Sequence, residues 1–187
     1  LTDLTQTFDI TQGDLTYTAP QGTTVSARML EGENWKASVV VDKQLISLLP
    51  GSLKEEALLE VTLTENAKVL ETYRLTVMQS GLRGSGEDEQ NPYLISSPAE
   101  LTYIAETVNS GTPYCGEYFK LTQNIDLTGV EWTPIGLYNG KDLVGINFEG
   151  IFDGGGYTIK GLTIQDEETD MAQGLFGSVY GGEIKHL

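Results

Sequence analysis

The side chains of this chain that could carry chemistry are mostly carboxylates, and they occur in two runs. Glu87–Glu89 forms the first run, and Asp166–Glu168 with Asp170 forms the second. Glycoside hydrolysis needs two carboxylates held about 5–9 Å apart across a cleft, which adjacent acids on one loop rarely provide. We interpret both runs as solvated surface. Oxygen ligands on a loop also suit calcium, but the spacing at 166–170 matches no calcium loop, and no metal site is predicted.

The chain has one histidine, His186, and one cysteine, Cys115. A nucleophilic triad needs a well-placed base, and we interpret His186 as a residue of a loop or strand edge. A single cysteine excludes an internal disulfide and a cysteine zinc site. No basic residue adjoins Cys115 in sequence, so we expect a partly buried small residue rather than a reactive thiol. The sequence therefore predicts no catalytic constellation, no cofactor and no enzyme activity for this segment.

A glycine run at 153–156, Asp-Gly-Gly-Gly, resembles a phosphate-binding loop at first sight. A strand-like segment follows it, whereas an anion site of that kind needs a helix N-terminus. We therefore predict a tight corner, with Asp153 as its cap and the glycines supplying positive φ angles. Gly181 and Gly182 are expected to form an equivalent corner.

Aromatic residues are the best candidates for binding a ligand. Seven of the nine tyrosines lie in the second half, and most of them are expected to cover the edges of the coils and the capping helix. The exceptions are expected in the segments 111–118 and 131–142. Exposed aromatic rings stack on sugars and anchor protein interfaces. The candidate ligand-binding residues are Tyr114, Tyr118, Trp132 and Tyr138.

The net charge of the chain is −16, from 27 acidic and 11 basic residues. Such a charge disfavours nucleic acid and anionic membranes as partners. No apolar run approaches the roughly 20 residues of a membrane-spanning helix. We therefore expect a protein that is not embedded in a membrane.

Short alternating apolar runs dominate residues 1–79, which we predict to form an immunoglobulin-like or cadherin-like antiparallel β-sandwich of about seven strands. The segment 57–77 is the clearest hairpin, with residues 64–67 as its turn. Leu59, Val61 and Leu63 share one face of its first strand, and Val69, Tyr73, Leu75 and Val77 are expected on one face of its second. Trp35 fits either a core or an edge position. Residues 80–92, rich in glycine and acids, are predicted to be a linker.

The third predicted segment, 93–187, opens with a helix at 97–110. Ser97 is a suitable N-cap, Pro98 fits the first helical position, and Glu100 completes a capping box. Leu101, Ile104, Ala105 and Val108 give one apolar stripe, and Gly111 is placed to end the helix. Such a stripe must be covered, and the strand-rich segments that follow are the available partner.

Two later segments repeat one another: residues 150–162 and 174–187 begin and end with similar residues, 24 and 25 positions apart. A period of this size predicts stacked units, here the coils of a parallel β-helix with the helix 97–110 capping their N-terminal end. The residues expected to point inward are Phe119, Leu121, Ile125, Leu127, Phe148, Phe152, Ile159, Leu162, Ile164, Leu175, Phe176, Ile184 and Leu187.

The order of these motifs resembles the opening of bacterial cell-surface proteins with GLUG-type repeats. The resemblance covers residues 84–187 and rests on "GSGEDEQNPYLISSPAELTYIAETVN", "YFKLTQNIDL", "WTPIG", "FEGIFDGGGYTIKGL" and "GLFGSVYGGEIKHL". It implies a right-handed parallel β-helix of the pectin-lyase-like class, secreted or displayed by a bacterium. Some relatives are parts of zinc peptidases, but the His-Glu-x-x-His motif of that chemistry is absent from this sequence.

These observations predict an all-β chain, an antiparallel β-sandwich followed by the helix-capped start of a parallel β-helix. The expected function is a non-catalytic adhesin or scaffold that binds a host protein or glycan. Two alternatives stay open: the N-terminal part of a polysaccharide lyase or hydrolase with catalytic coils beyond residue 187, and a structural spacer. We also expect the edge near residues 174–187 to support self-association.

Overall fold

The computed structural model describes residues 2–139, 144–165 and 172–187. Strands predominate in these ranges, as predicted for an all-β chain, and they are accompanied by one α-helix and two short 3₁₀ helices at Ile10–Gln12 and Val41–Lys43. The strands are β1 Thr2–Asp9, β2 Leu15–Thr16, β3 Thr24–Glu31, β4 Lys36–Val40, β5 Leu45–Leu49, β6 Ala57–Glu65, β7 Lys68–Met78, β8 Tyr93–Ile95, β9 Tyr118–Leu121, β10 Ile125–Asp126, β11 Leu137–Asn139, β12 Val144–Ile146, β13 Ile151–Asp153, β14 Ile159–Lys160 and β15 Glu183–Lys185; α1 is Pro98–Asn109. The chain divides into two units, Leu1–Leu82 and Arg83–Leu187, each described by itself below.

The first unit contains a four-stranded sheet in the order β1-β7-β6-β3 and a three-stranded sheet in the order β2-β5-β4. Its described strands pair antiparallel with one exception, because β1 runs parallel to β7. The prediction of a purely antiparallel module is therefore wrong at this pairing. A parallel pair cannot be joined by a tight hairpin, so no local sequence signal marks it.

The hairpin predicted at 57–77 is present, with Glu65 opposite Lys68 and Asn66-Ala67 between them. The turn is therefore two residues long and not the predicted 64–67, because Thr64 and Glu65 belong to β6. Both turn residues have left-handed φ angles, 48° and 64°. Such angles are typical of the type I′ turn that matches the twist of two hairpin strands.

One predicted face of this hairpin is wrong near the turn. Leu63 pairs with Glu71 but Thr64 pairs with Val69, so Leu70 is an extra residue in β7. A bulge of this kind changes which side of the sheet the preceding residue occupies. Val69 is consequently 56% exposed rather than part of the core.

The core of the first unit combines side chains from both of its sheets. Its buried members are Ile10, Trp35, Ile46, Leu48, Ala57, Leu59, Val61 and Val77. Trp35 is 6% exposed and thus belongs to the core. The inward residues of β5 and β6 alternate along their strands, as expected for sheets with one face covered.

The second unit is organised by a parallel sheet in the order β15-β13-β9-β8. Tyr93 pairs with Phe119, Phe119 with Phe152, and Phe152 with Ile184. A second parallel pair joins β10 and β14, where Ile125 lies opposite Ile159.

These pairings correct the predicted repeat of 24 or 25 residues. Ile151 pairs with Glu183, 32 positions later, and Ile125 pairs with Ile159, 34 positions later. Phe176, which the sequence comparison aligned with Phe152, pairs instead with Ile135. The internal similarity therefore marks residues in similar environments within a longer repeat, and not residues that lie side by side.

Six of the thirteen residues predicted to point inward are buried, and five are half-buried: Ile159, Ile164, Leu175, Phe176 and Ile184. Phe119, Leu121, Ile125, Leu127, Phe148 and Phe152 are at most 1% exposed. Phe148 lies between Phe119 and Phe176, with ring centroids 5.4 and 5.3 Å away. Leu162 and Leu187 are 40% and 54% exposed, so their predicted inward positions are wrong. Leu162 follows β14, and none of the described strands covers the other side of β14.

The helix α1 spans Pro98–Asn109, one residue shorter at each end than the predicted 97–110, and Ser97 is its N-cap as predicted. The Ser97 hydroxyl accepts a hydrogen bond from the Glu100 backbone N–H, and Pro98 occupies the first turn. The Glu100 carboxylate accepts from the backbone N–H and hydroxyl of Ser96, at 2.7 and 2.9 Å, one residue earlier than a standard capping box. The predicted apolar stripe of α1 is buried throughout.

The last residue of α1 makes a contact that the sequence did not indicate. The Asn109 side-chain amide donates to the Pro134 carbonyl and its oxygen accepts from the Gly136 N–H, each at 3.0 Å. Because one amide satisfies two backbone groups of 134–136, it fixes the end of α1 to that segment.

Candidate functional site

The second unit contains a cleft of about 250 Å³. Its lining residues are Glu131, Trp132, Thr133, Pro134, Leu137, Ile164, Gln165, Ala172 and Gln173. Its apolar side chains come chiefly from 132–137, and its polar rim comes from Glu131, Thr133, Gln165 and Gln173, all exposed. An apolar depression with a few polar groups is the usual form of a ligand site.

Backbone pairing holds the two sides of this cleft in place. The Trp132 N–H donates to the Thr163 carbonyl at 3.0 Å, and Glu131 forms a parallel bridge with Thr163. Further along, the Ile135 N–H donates to the Leu175 carbonyl at 3.0 Å. The segment 131–135 is thereby fixed at both ends, with the cleft between the two attachments.

Trp132 contributes to the wall of this cleft but offers it little ring surface. It is 2% exposed, and its indole Nε1–H donates to the Leu175 carbonyl at 3.3 Å. A buried indole whose N–H has an acceptor connects the segment of Trp132 to that of Leu175 and so stabilises the wall of the cleft. Its ring faces are not available for stacking on a sugar.

Tyr138 and Tyr114 occupy different parts of the unit. Tyr138 lies in β11, is half-buried, and accepts a hydrogen bond from the Ala172 N–H at 3.3 Å through its carbonyl. Tyr114 is 9% exposed and meets Phe119 edge to face, with centroids 5.0 Å apart. Burial raises the pKa of its phenol, partly offset by a hydrogen bond with Thr107. Tyr114 is therefore an interior aromatic residue.

Tyr118 lies at the start of β9, half-buried, on the outer face of the parallel sheet. A small depression there is lined by Glu89, Tyr118, Lys120, Asp153 and Lys185, among others. Lys120, Asp153 and Lys185 form one row across the sheet. The Lys185 ammonium lies 3.1 Å from the Glu89 carboxylate, which raises the pKa of Lys185. The structure therefore does not bring the four aromatic candidates together in one site.

The corner at 153–156 is formed as predicted. The Asp153 carboxylate accepts from the Gly155 N–H at 2.9 Å, and Gly155 and Gly156 have φ angles of 58° and 77°. Gly154 is required for a different reason, since a Cβ there would lie 2.4 Å from the His186 carbonyl oxygen.

His186 is an exposed residue next to this corner. Its Nδ1 lies 2.9 Å from the Asp153 carboxylate. Although burial alone would raise the pKa of Asp153, the hydrogen bonds from Gly155 and His186 outweigh it and lower that pKa. The pair links β13 to the residue after β15.

Cys115 is exposed, so its predicted partial burial is wrong. Its thiol donates to a carboxylate oxygen of Glu149 at 2.9 Å. The hydrogen bond to Glu149 raises the pKa of the thiol, which disfavours the reactive thiolate.

The acidic run at 166–170, considered for calcium, lies outside the described residues. Among residues that are described, no cluster of three or more His, Cys, Asp or Glu side chains could hold a metal ion. In the cleft, Glu131 supplies the carboxylate of the described lining.

Sequence reasoning missed the far wall of the cleft. Gln165, Ala172 and Gln173 carry no motif, and Ile164 was expected only to point inward. These residues reach the cleft because Thr163 pairs with Glu131 and Phe176 with Ile135. The sequence could have predicted this wall only through the correct pairing of these segments. The similarity between residues 150–162 and 174–187 indicated a different pairing.

Comparison with known proteins gives similarity to parts of much longer chains. The chain is 30% identical over 119 residues to Halomucin of Haloquadratum walsbyi, which covers 59% of this chain and 1% of that protein. It is 33% identical over 111 residues to a protein of Evansella cellulosilytica described as a Gly-rich membrane protein, covering 56% of this chain and 12% of that protein. No family model and no solved structure matches the chain.

Within the described residues, no helix has both the length and the apolar composition needed to cross a membrane.

Proposed function

We propose that this chain is a non-catalytic binding module of a secreted or cell-surface protein. The first unit would be a β-sandwich and the second the helix-capped start of a right-handed parallel β-helix, as in proteins with GLUG-type repeats. The ligand would be a glycan or an extracellular host protein, held in the cleft that 131–137 form with residues 164–165 and 172–173.

The fold proposal draws its support from the second unit. The strands β8, β9, β13 and β15 run parallel in one sheet, and each would form one rung of the β-helix. The strands β10 and β14, which follow β9 and β13 in the chain, pair in a second sheet. Inward residues stack from rung to rung, as Phe119, Phe152 and Ile184 do. Repeated parallel rungs with aligned apolar residues are typical of a β-solenoid.

The proposed location draws on the two relatives, one named as a halomucin and the other as a membrane protein. The described chain supplies no candidate membrane-spanning helix. A net charge of −16 keeps such a surface hydrated and separated from other anionic surfaces.

The cleft is the observation that carries the binding function. It joins an apolar floor, in which Pro134 and Leu137 take part, to the exposed amides of Gln165 and Gln173. Amide groups hydrogen-bond to hydroxyls and to peptide groups alike, and an apolar floor accepts the less polar face of a sugar or a side chain.

The test exposes the purified chain to immobilised polysaccharides and extracellular-matrix proteins and records both retention and polysaccharide length. We expect retention without shortening. Replacing both rim glutamines, Gln165→Ala with Gln173→Ala, should weaken retention by about tenfold, because two hydrogen bonds of about 0.5–1.5 kcal/mol each are lost.

Gln90→Ala is the matched control, since Gln90 is exposed but does not line the cleft. Retention unaffected by the double substitution would place binding elsewhere and contradict the site. Shortened polysaccharide would contradict the non-catalytic assignment and favour a lyase or hydrolase. Absence of binding to every ligand would favour a spacer.

A further inference from the structure

The polar rim of the cleft carries side chains that its neighbours do not use. Glu131, Thr133, Gln165 and Gln173 are exposed, and within the described part of the chain none of these side chains makes a hydrogen bond or an ion pair. Glu131 supplies two carboxylate oxygens, and each of the other three side chains supplies one more acceptor oxygen. The rim is therefore suited to a ligand that is rich in hydrogen-bond donors.

The charge of the rim determines the sign of that ligand. Among the described lining residues Glu131 is the one charged residue, and that lining contains no Lys, Arg or His. An anionic group beside Glu131 would meet a like charge, whereas a cation would be attracted. The net charge of −16 acts in the same direction, since it attracts basic molecules and repels acidic ones. The matching ligand therefore carries a positive group.

The floor of the cleft favours an aliphatic chain below that positive group. Pro134, Leu137, Ile164 and Ala172 are buried or half-buried and line the cleft with aliphatic surface. The aromatic residue of the described lining, Trp132, is only 2% exposed and offers no ring face on which a sugar could stack. Lysine and arginine side chains lay their methylene stems along apolar surface and keep the charged head in water. A long basic side chain of a protein therefore matches both the floor and the rim.

The size of the cleft and its acceptors favour arginine over lysine. Its volume of about 250 Å³ lies below the roughly 300–1,000 Å³ of pockets for drug-sized ligands, so it suits a single long side chain. A guanidinium has five N–H donors in a planar fork that matches a carboxylate, whereas an ammonium has three. The fork would pair with Glu131, and its remaining N–H groups would have the amide oxygens of Gln165 and Gln173 as acceptors.

Backbone hydrogen bonds hold the walls of the cleft without a ligand. The Trp132 N–H donates to the Thr163 carbonyl at 3.0 Å, and the Ala172 N–H donates to the Tyr138 carbonyl at 3.3 Å. A preformed site loses less conformational freedom when a ligand binds. The cleft therefore needs no rearrangement of these segments to receive a side chain.

We propose that the cleft binds an arginine side chain of a basic partner protein, with Glu131 pairing with the guanidinium and the aliphatic floor covering its stem. The inference rests on the proposed binding function and narrows its ligand to a protein. The ion pair is weak by itself because Glu131 is exposed to solvent, so most of the affinity for a whole partner comes from the surface around the cleft.

Fluorescence polarisation of a dye-labelled peptide, Gly-Leu-Arg-Leu-Gly, with the full chain tests the proposal. A second peptide has citrulline in place of arginine, which keeps the shape of the side chain and removes its charge. We expect the citrulline peptide to bind about fivefold more weakly, as does the arginine peptide with Glu131→Gln, because each change removes one exposed ion pair. The Glu131→Gln variant should no longer distinguish the two peptides.

Nuclear magnetic resonance locates the binding site in the same chain. The indole N–H signal of Trp132, which lies in the wall of the cleft, should shift on addition of the arginine peptide. The indole signal of Trp35, in the core of the first unit, should stay in place. A shift at Trp35 without one at Trp132 would contradict binding in the cleft.

Glu87→Gln is the matched control for charge, since Glu87 is exposed and absent from the cleft lining. It changes the net charge as much as Glu131→Gln does and should leave peptide binding unchanged. Equal effects of the two substitutions would reduce the attraction to the overall charge of the chain and overturn the site. Equal affinity for the arginine and citrulline peptides, or no binding at millimolar peptide, would overturn the proposal as well.

Two further outcomes separate this inference from the proposed function. Retention of a polysaccharide or matrix protein that depends on Gln165 and Gln173, without any preference for arginine, would keep the binding function and reject the inference. Retention of chitosan, an amine-bearing polysaccharide, that depends on Glu131 while the arginine peptide does not bind would assign the cleft to a glycan and likewise reject it. Absence of binding to every ligand and peptide would reject both.

Discussion

The turn between β6 and β7 contains a residue whose side chain is poorly suited to its backbone angle. Ala67 has a φ of 64°, in the left-handed region. A Cβ in that region costs about 1–2 kcal/mol, whereas glycine occupies it without steric penalty. Asparagine, the preceding residue, tolerates the same region better than most.

Replacing Ala67 with glycine should therefore stabilise the first unit by about 0.5–1 kcal/mol, after the greater unfolded-state entropy of glycine is subtracted. Urea unfolding followed by circular dichroism measures the change. Ala37→Gly in the extended strand β4 is the matched control and should destabilise. An equal loss of stability in both variants would show that the turn angle carries no strain.

A carboxylate at the end of β1 makes the stability of the first unit depend on pH. The Asp9 carboxylate accepts from the Thr11 N–H and hydroxyl at 2.9 and 2.6 Å and from the Ser80 N–H at 3.2 Å. Desolvation would raise the pKa of Asp9, but the hydrogen bonds with Ser80 and Thr11 outweigh it and lower the pKa from 3.8 to about 2.

Because the folded pKa of Asp9 lies below its unfolded value, ionised Asp9 contributes stability above about pH 4 that is lost as the pH falls toward 2. Asp9→Asn should flatten the pH dependence of stability between these values. The effect is modest, since Asp9 is exposed and screened by solvent. Thermal unfolding of both proteins from about pH 6 to about pH 2 measures it; parallel curves would exclude the contribution.

At the scale of elements, α1 is held by its two ends and its buried stripe. The N-terminal end satisfies its backbone through Ser97 and Glu100, while the C-terminal end reaches 134–136 through Asn109. Pro134 and Gly136 are buried, so their backbone groups have no alternative partner in water. The anchor also positions the segment that lines the cleft.

Asn109→Ala should lower the free energy of unfolding of the second unit by about 2–4 kcal/mol, because two buried backbone groups lose their partner at about 1–3 kcal/mol each. Chemical denaturation of the full chain measures the loss. Glu106→Ala, on the exposed face of the same helix, should change stability by less than about 0.5 kcal/mol. A similar small effect for Asn109→Ala would mean that water replaces the amide.

At the scale of the whole molecule, each unit has its own apolar core. In the first unit the core joins two sheets, whereas in the second unit it includes buried side chains of neighbouring parallel strands, such as Phe119 and Phe152. Phe148 is fully buried within that core, in contact with Phe119 and Phe176. Removing it affects several strands together.

Phe148→Ala should destabilise the second unit by about 3–5 kcal/mol through lost apolar contact and the cavity that remains. Hydrogen exchange read by mass spectrometry should show faster exchange in β9 and β13, while β5 and β6 of the first unit keep their protection. Leu94→Ala, at a 38% exposed position, is the matched control. Equal loss of protection in both units would contradict separate cores.

Sequence alone determined the features that depend on neighbouring residues. Sequence signals that lie within about a dozen positions of one another predict four features: the cap at Ser97, the buried stripe of α1, the β6–β7 hairpin and the corner at Asp153. Hydrogen bonding, side-chain periodicity and the sterics of positive φ act over that range. The all-β class follows from the same local patterns.

Only the tertiary structure decided which distant segments lie together. Non-local contacts decide three features: the parallel pairing of β1 with β7, the spacings of 32 and 34 residues between paired strands of the second unit, and the burial of Trp132. The two similar segments, 24 or 25 residues apart, suggested another register because similar environments select similar residues whether or not they are neighbours. The cleft depends on the true register, since parallel strands are joined by long connections whose length no local interaction fixes.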